Sequence, residues 1–362
     1  MTDEQQAAAG HLRYLEIGFQ PLLKNAFPAR TDFIDTRFRW ANVRAYEVQK
    51  KSILGRLGAK IVFFAKALGI STRQDYDVVV TRCLGPVNSF GQSGLAHLAR
   101  ELMGGLFRFL VLYAARGKRV RLVVIDQTDH LTIHPRDRRL AWSCDLYFKR
   151  ELADNHWHTL EAVLPRGACI GVMTKASVGA KLRSKLRPIA LGIEAAAILP
   201  PSPNAEKMYD LFYCGFSLEI PVREGLRDVL TKLKDRGWRV HVPEERLNSN
   251  EFQKAIRQSR LCLSPGGSGW DCYRHYEVVA YGSVPLFNYR SICTIAPFRH
   301  EEHCFYYDPQ ADLVKQLETW LARPAKTLDQ IVAAAQEHLK SHFTFEALAV
   351  YVDKEIERLP HG

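Results

Sequence analysis

Residues 261–287 read LCLSPGGSGWDCYRHYEVVAYGSVPLF, an order of residue types that few folds accommodate. A short apolar run ends at Leu263 and is broken by Pro265, Gly266, Gly267, Ser268 and Gly269. Asp271 is placed to cap a helix that ends near Gly282, and Pro285 opens a second apolar run. Strand, glycine loop, helix, tight turn and strand make one βαβ unit, which demands a parallel sheet. A glycine loop feeding a helix N-terminus offers backbone N–H groups and the positive end of a helix dipole, an arrangement that suits phosphate. Arg274, His275 and Glu277 follow near the start of the same helix. Charge beside such a loop points to a nucleoside diphosphate as the ligand.

Strand and helix signals alternate along nearly the whole chain, the pattern of an α/β protein. In the first half, strands are predicted at 13–18, 32–35, 77–81, 119–125 and 145–148, with a short helix at 21–26 and a long one at 95–115. The apolar, then proline-rich stretch PIALGIEAAAILPPSP at 188–203 reads as an interdomain linker. Alternation then resumes, with strands at 209–213, 238–242, 261–263 and 304–307, and helices at 222–234 and 249–258. Three closing helices begin near Gln310, Leu328 and Phe345. The predicted organisation is an N-terminal domain over 1–190, a second over 191–340 and a C-terminal helix over 341–362. Ligands of open parallel sheets bind beyond the carboxyl ends of the strands, so two such sheets bring their ligand edges to one cleft.

The chain has 362 residues, 47% hydrophobic and 25% charged, with a formal net charge of +11. That length suits two medium domains, and that charge favours anionic partners without choosing among nucleic acid, lipid surface and phosphorylated substrate. The eight cysteines include no C-x-x-C pair, which implies a reducing compartment, no disulfide framework and no zinc site. The opening MTDEQQAAAG is polar and lacks the character of a signal peptide. No run of about 18 apolar residues is present, so the expected location is cytoplasmic. A basic amphipathic helix is predicted at 50–70; it suits core packing or contact with an anionic membrane face.

The segment E-V-V-A-Y-G-S-V-P from Glu277 to Pro285 resembles the E-a-l-a-x-G-x-P signature of glycosyltransferases of the GT-B fold. Residues 263–287 resemble the donor site of exostosin-like and spore-maturation-type group 1 members, and PIALGI is similar to their interdomain segment. The resemblance covers about 209–325; the first half matches in element order alone. It implies two Rossmann-like, doubly wound parallel-sheet domains facing across a cleft, and transfer of a sugar from a nucleoside diphosphate, UDP for instance, to a glycan, lipid-linked or small-molecule hydroxyl. Surface polysaccharide or lipopolysaccharide synthesis is the setting it suggests.

Carried onto this chain, the resemblance gives Glu277 the ribose hydroxyls. It lets Gly266, Gly267, Ser268 and Gly269 approach the diphosphate, sets Arg274 against the leaving group, and places Gly215 and Ser217 beside phosphate. Such enzymes generally hold no metal, so neither a metal nor a cofactor is expected. One departure stands out: where many retaining members carry a sugar-contacting glutamate, this chain has Gly269, which leaves the stereochemical course open. The Asp75-Tyr76-Asp77 triplet begins a predicted strand, unlike the metal-binding D-x-D that ends one.

A general base is expected from the N-terminal domain, where Asp126, Asp129 and His130 follow a predicted buried strand; capping and turn roles for these residues are the structural alternative. The loop 85–94 is a second cleft-facing candidate, for acceptor contact. The Lys149-Arg150-Glu151 triplet reads as a solvated face. Two other functions compete: a nucleotide-sugar epimerase on the same fold, and a non-catalytic nucleic-acid-binding protein. The second predicts a contiguous basic stripe, whereas Lys and Arg here are scattered over both halves, so no nucleic-acid partner is expected.

Overall fold

A computed structural model describes residues 12–18, 20–35, 69, 76–83, 120–134, 137–163, 169–172, 176–200, 207–215, 223–308 and 310–360. The loop 85–94, the long helix at 95–115, Ser217 and nearly all of the basic helix at 50–70 lie outside the described residues.

Six strands build the first sheet, all parallel: β1 (Tyr14–Gly18), β2 (Thr31–Asp35), β3 (Val78–Arg82), β4 (Arg121–Asp126), β5 (Leu146–Lys149) and, after the antiparallel hairpin β6 (Glu161–Val163) and β7 (Cys169–Val172), the edge strand β8 (Leu186–Pro188). Their order is β2-β1-β3-β4-β5-β8. The near-continuous apolar sequences of β3 and β4 reflect burial on both faces. Val78, Val80, Val123, Ile125 and Phe148 point into one core, and Val79, Leu122, Val124 and Tyr147 into another.

The second sheet is also parallel, with β9 (Tyr209–Tyr213), β10 (Val240–His241), β11 (Ser259–Leu263), β12 (Val284–Asn288) and β13 (Phe305–Tyr307) in the order β10-β9-β11-β12-β13. Both sheets are doubly wound and reverse direction beside their first strand, between β1 and β3 and between β9 and β11. Those are the switch points where crevices form. The helix Tyr273–Ala280 joins β11 to β12 as the sequence requires. It stops in a Schellman turn at Gly282 (φ +83°), where Gly282 N donates to Val279 O and Ser283 N to Val278 O.

Two expectations change. The stretch at 188–203 is no free linker at its start, because Pro188 ends β8 and Ile189, Ala190 and Leu191 are buried in the core shared by both domains. Asp271 does not cap the helix: the N-cap is Cys272, without a side-chain cap. Asp271 instead accepts hydrogen bonds from Leu191 N (2.9 Å) and the Tyr276 hydroxyl, which fastens the glycine loop to the crossover.

The last helix, Phe345–Glu357, returns to the first sheet. Asp353 accepts from the Tyr14 hydroxyl and from Arg30 Nη2 (2.6 Å), and Arg121 Nη1 donates to Ile356 O. Leu348, Val352 and Ile356 share the core of Val78, Val123 and Phe148. Among the described residues, no helix is long and apolar enough to cross a membrane.

Candidate active site

A cleft of about 770 Å³ opens where the carboxyl ends of the two sheets meet. Asp129 and Arg150 line it from the first sheet, and Gly215, Arg223, Gly267–Gly269, Arg274 and Glu277 from the second.

The glycine loop leaves β11 with its main chain mostly committed to itself. Gly266 N donates to Asn288 Oδ1 (2.8 Å), and Gly267 N to Gly269 O (2.8 Å). Those two amides hold the loop, so they are not the free donors the sequence suggested. Among the described residues, the N–H groups of Ser268 and Gly269 have no partner. The cationic part of the cradle comes from side chains. Arg223, which sequence reasoning missed, donates to Gly266 O from both Nε (3.1 Å) and Nη2 (3.0 Å). A Cβ on Gly267 would sit 3.6 Å from Arg223 Nη2 and 3.9 Å from Arg274 Nη2. Two guanidiniums thus border the space that a missing side chain leaves. Burial, with Arg274 beside it, draws Arg223 below the usual arginine range, as expected where two cations lie close together.

Among the described residues, Arg274 is anchored by one bond, Nη2 to Pro265 O (3.2 Å), and its buried Nε has no partner. One turn on, Glu277 makes no hydrogen bond among the described residues. Burial pushes its carboxyl above the usual glutamate range, while Arg274 opposes that shift. A half-buried carboxylate left unpaired in a cleft is ready for donors from a ligand. Phe212, Leu247, Phe252 and Tyr281 give the cleft apolar lining, with Glu245, Arg246 and Ser249 also lining it, and Gly215 lines it two residues past β9.

His275 is a structural residue. It is buried, with Nδ1 2.9 Å from Ser264 Oγ and Nε2 2.8 Å from Trp270 O. A carbonyl can only accept, so Nε2 carries the proton and the ring is neutral. Burial pushes its pKa down to about 3. An unfolded histidine titrates near 6.5, so below that pH the unfolded chain takes up a proton that the folded chain refuses. Folding stability therefore falls as pH drops from about 6.5, by about 2 kcal/mol at pH 5. Asp271, pushed up to about 6 by burial, opposes this below its own pKa, equally in any His275 variant. Between pH 7 and pH 5, wild type is expected to lose about 2 kcal/mol more stability than His275→Gln in chemical denaturation; equal losses would show that the ring does not titrate this way.

The acidic candidates of the first domain separate. Asp126 is 1% exposed and does not reach the cleft. It accepts from Thr128 N, Thr128 Oγ1 (2.7 Å) and the Tyr147 hydroxyl (2.8 Å), and pairs with buried Lys149 at 3.2 Å. Burial alone would raise its pKa, but Lys149 and these donors outweigh it and hold the carboxyl below the usual aspartate range. Its oxygens are saturated, which makes it an anchor for the loop after β4 and not a proton acceptor. Asp129 lines the cleft with a half-exposed carboxylate paired to Arg150 Nη2. His130 is exposed and is not part of the cleft lining.

The Lys149-Arg150-Glu151 triplet is the reverse of a solvated face: all three are buried. Lys149 neutralises Asp126, Arg150 reaches Asp129, and Glu151 crosses to the second domain, accepting from Trp270 N (3.0 Å) and Asp271 N (2.9 Å). That crossing explains Gly269. A Cβ there would lie 2.6 Å from Glu151 Cδ, so the position expected to bear a glutamate is kept bare by one reaching over from the other domain. Asp77 sits at the start of β3 and accepts from Arg13 N, at the sheet edge away from the cleft. Among the described residues, no group of three or more His, Cys, Asp and Glu is arranged to hold a metal.

Comparison with known proteins agrees with this geometry. The family described as the RXYLT1 C-terminal domain matches residues 223–303, the segment that carries Arg223, the glycine loop, Arg274 and Glu277. A ribitol-5-phosphate xylosyltransferase 1 of Danio rerio is 48% identical over 46 residues, a stretch spanning 12% of this chain and 11% of that protein. The structure of HepE from Anabaena, in complex with UDP and glucose, superposes with a TM-score of 0.51 at 12% identity, covering 96% of this chain and 100% of that one. A glycosyltransferase from Rickettsia africae gives a TM-score of 0.51 at 10% identity, covering 97% and 100%. The chain has the GT-B fold.

Proposed function

We propose that this GT-B chain is a glycosyltransferase that moves a sugar from a UDP-sugar to a hydroxyl of a glycan, lipid-linked or small-molecule acceptor. One observation carries the reading: a single cleft holds an unpaired Glu277, two guanidiniums bordering Gly267, and a carboxylate on the facing domain. A nucleobase fits the apolar wall of Phe212, Phe252 and Tyr281, and the ribose hydroxyls donate to Glu277. The diphosphate meets Arg223, Arg274 and the Ser268 and Gly269 amides. As the acceptor oxygen bonds to the anomeric carbon, the bond from that carbon to the diphosphate breaks. The two arginines and the helix N-terminus stabilise the charge that develops on the departing UDP. Asp129, which lines the cleft from the facing domain, takes the acceptor's proton in this reading.

Likeness to a xylosyltransferase extends the donor choice beyond hexoses to UDP-xylose, and the relative's name adds a polyol phosphate to the acceptors worth testing. Surface-polymer synthesis on the cytoplasmic face of a membrane, with the basic segment at 50–70 in contact with anionic lipid, accords with the positive net charge. The test is release of UDP from UDP-xylose and UDP-glucose, alone and with ribitol phosphate or oligosaccharide acceptors. Release stimulated by an acceptor is the expected result, and a failure to turn over or bind any UDP-sugar would overturn the reading.

A further inference from the structure

The triplet after β5 does more than hold the domains together. Glu151 spends both carboxylate oxygens on the donor loop, Oε2 on Trp270 N (3.0 Å) and Oε1 on Asp271 N (2.9 Å). The same Oε1 lies 3.4 Å from Arg150 Nε. Arg150 is fixed on its other edge by Gln127 O, which accepts from Nη1 at 3.1 Å, and its Nη2 pairs with Asp129. Arg150 is 4% exposed and Glu151 1%, yet the Asp129 side chain they lead to is 54% exposed in the cleft. A half-exposed aspartate held by one buried arginine, itself hydrogen-bonded to Gln127 O and charge-paired with Glu151 without a hydrogen bond from Nε, takes its position from that arginine. The arginine takes its own from a glutamate whose hydrogen bonds end on the opposite domain.

We infer that Glu151 and Arg150 form a positioning relay that sets Asp129 according to the state of the donor loop. Binding of a nucleoside diphosphate orders residues 266–274, firms the two amides that hold Glu151, and so steadies Arg150 and the carboxylate beyond it. Neither Glu151 nor Arg150 touches the reacting atoms in this account; each acts through the next group. The inference rests on the reading of the cleft as a UDP-sugar site with Asp129 as proton acceptor. Among the described residues, the groups facing Asp129 are Arg150 from the turn after β5 and Tyr273 from the helix after the glycine loop, and Tyr273 in turn lies beside Asp271 and Arg82.

Hydrogen exchange with and without UDP, on the full chain, tests the relay without needing turnover. Wild type is expected to gain protection at 264–277 and also at 127–130. Glu151→Gln keeps one acceptor but loses the charge that orients Arg150, so it should keep the protection at 264–277 and lose it at 127–130. A wild type protected at 264–277 alone, or a variant protected at both, overturns the relay and leaves the donor site standing. No protection at 264–277 in wild type removes the donor site itself. The split between kcat and KM for UDP release from UDP-glucose, with water as acceptor, adds a readout that a purely structural role would leave unmoved. Arg150→Gln should lower kcat at least about tenfold with KM changed less than about twofold, and Arg150→Lys should restore kcat. A kcat unmoved in Arg150→Gln counts against the relay when Asp129→Asn is inactive. Activity retained by Asp129→Asn counts against the proton-acceptor reading instead.

Discussion

Asp129→Asn is expected to lower sugar transfer by about a thousandfold, within the range for removing a general base, with UDP affinity changed less than about twofold. The asymmetry follows from position. Asp129 follows β4 of the first sheet and lines the cleft from that side, whereas every group assigned to the nucleotide lies on the second. The amide keeps the shape and a carbonyl oxygen for Arg150 Nη2, so the variant should fold normally and lose only the ability to take a proton. Steady-state release of UDP with a competent acceptor, beside a UDP titration of the same sample, measures both halves. Asp126→Asn is the informative neighbour. It strips the charge that balances buried Lys149, so its loss should appear in folding stability before it appears in transfer.

Arg274→Ala is expected to weaken UDP by about thirtyfold, since a hydrogen bond to a charged group contributes about 2 kcal/mol, and to leave uridine unaffected. Among the described residues, Arg274 reaches the loop through one bond to Pro265 O and has a buried Nε without a partner, which leaves donors there for an anion. Arg223 differs: it spends two donors on Gly266 O, and its removal should loosen the loop as well as weaken the phosphate contact. Calorimetric titration of UDP, UMP and uridine separates these effects. Uniform weakening across all three ligands in Arg274→Ala would place the arginine in the scaffold and not at the phosphates.

Much of the frame was legible because its signals are local. Continuous apolar runs such as VVVT and RLVVI mark strands buried on both faces, and glycines placed around a helix start mark a turn that admits a ligand. The order Glu277, Gly282, Pro285 located a helix whose Arg274 and Glu277 line the cleft. What stayed hidden depends on partners far away in the chain. Arg223 meets Gly266 across 43 residues, and Glu151 meets Trp270 across 119; no periodicity announces either contact. Charged triplets are normally solvated, and Lys149-Arg150-Glu151 departs from that rule only because each charge finds its own buried partner. The expectation that the Gly266 and Gly267 amides would be free failed for a related reason: a loop this rich in glycine needs internal hydrogen bonds to hold one shape, and it takes them from the same N–H groups. Asp271 illustrates the competition too, since a buried amide at Leu191 and the Tyr276 hydroxyl claim a carboxylate that local sequence assigns to a helix cap.

The central claim, that the wall of Arg223, Arg274 and Glu277 binds a nucleoside diphosphate through ribose and phosphate together, is tested most directly by titrating UDP calorimetrically into wild type and Glu277→Ala. Glu277 has no protein hydrogen-bond partner to lose among the described residues, so truncation should spare the fold. It should remove about 2 kcal/mol of UDP binding, roughly a thirtyfold rise in Kd. Saturable UDP binding by wild type with that loss in the variant is the predicted result. Absence of UDP binding by wild type, or equal affinity in the two proteins, would contradict the account.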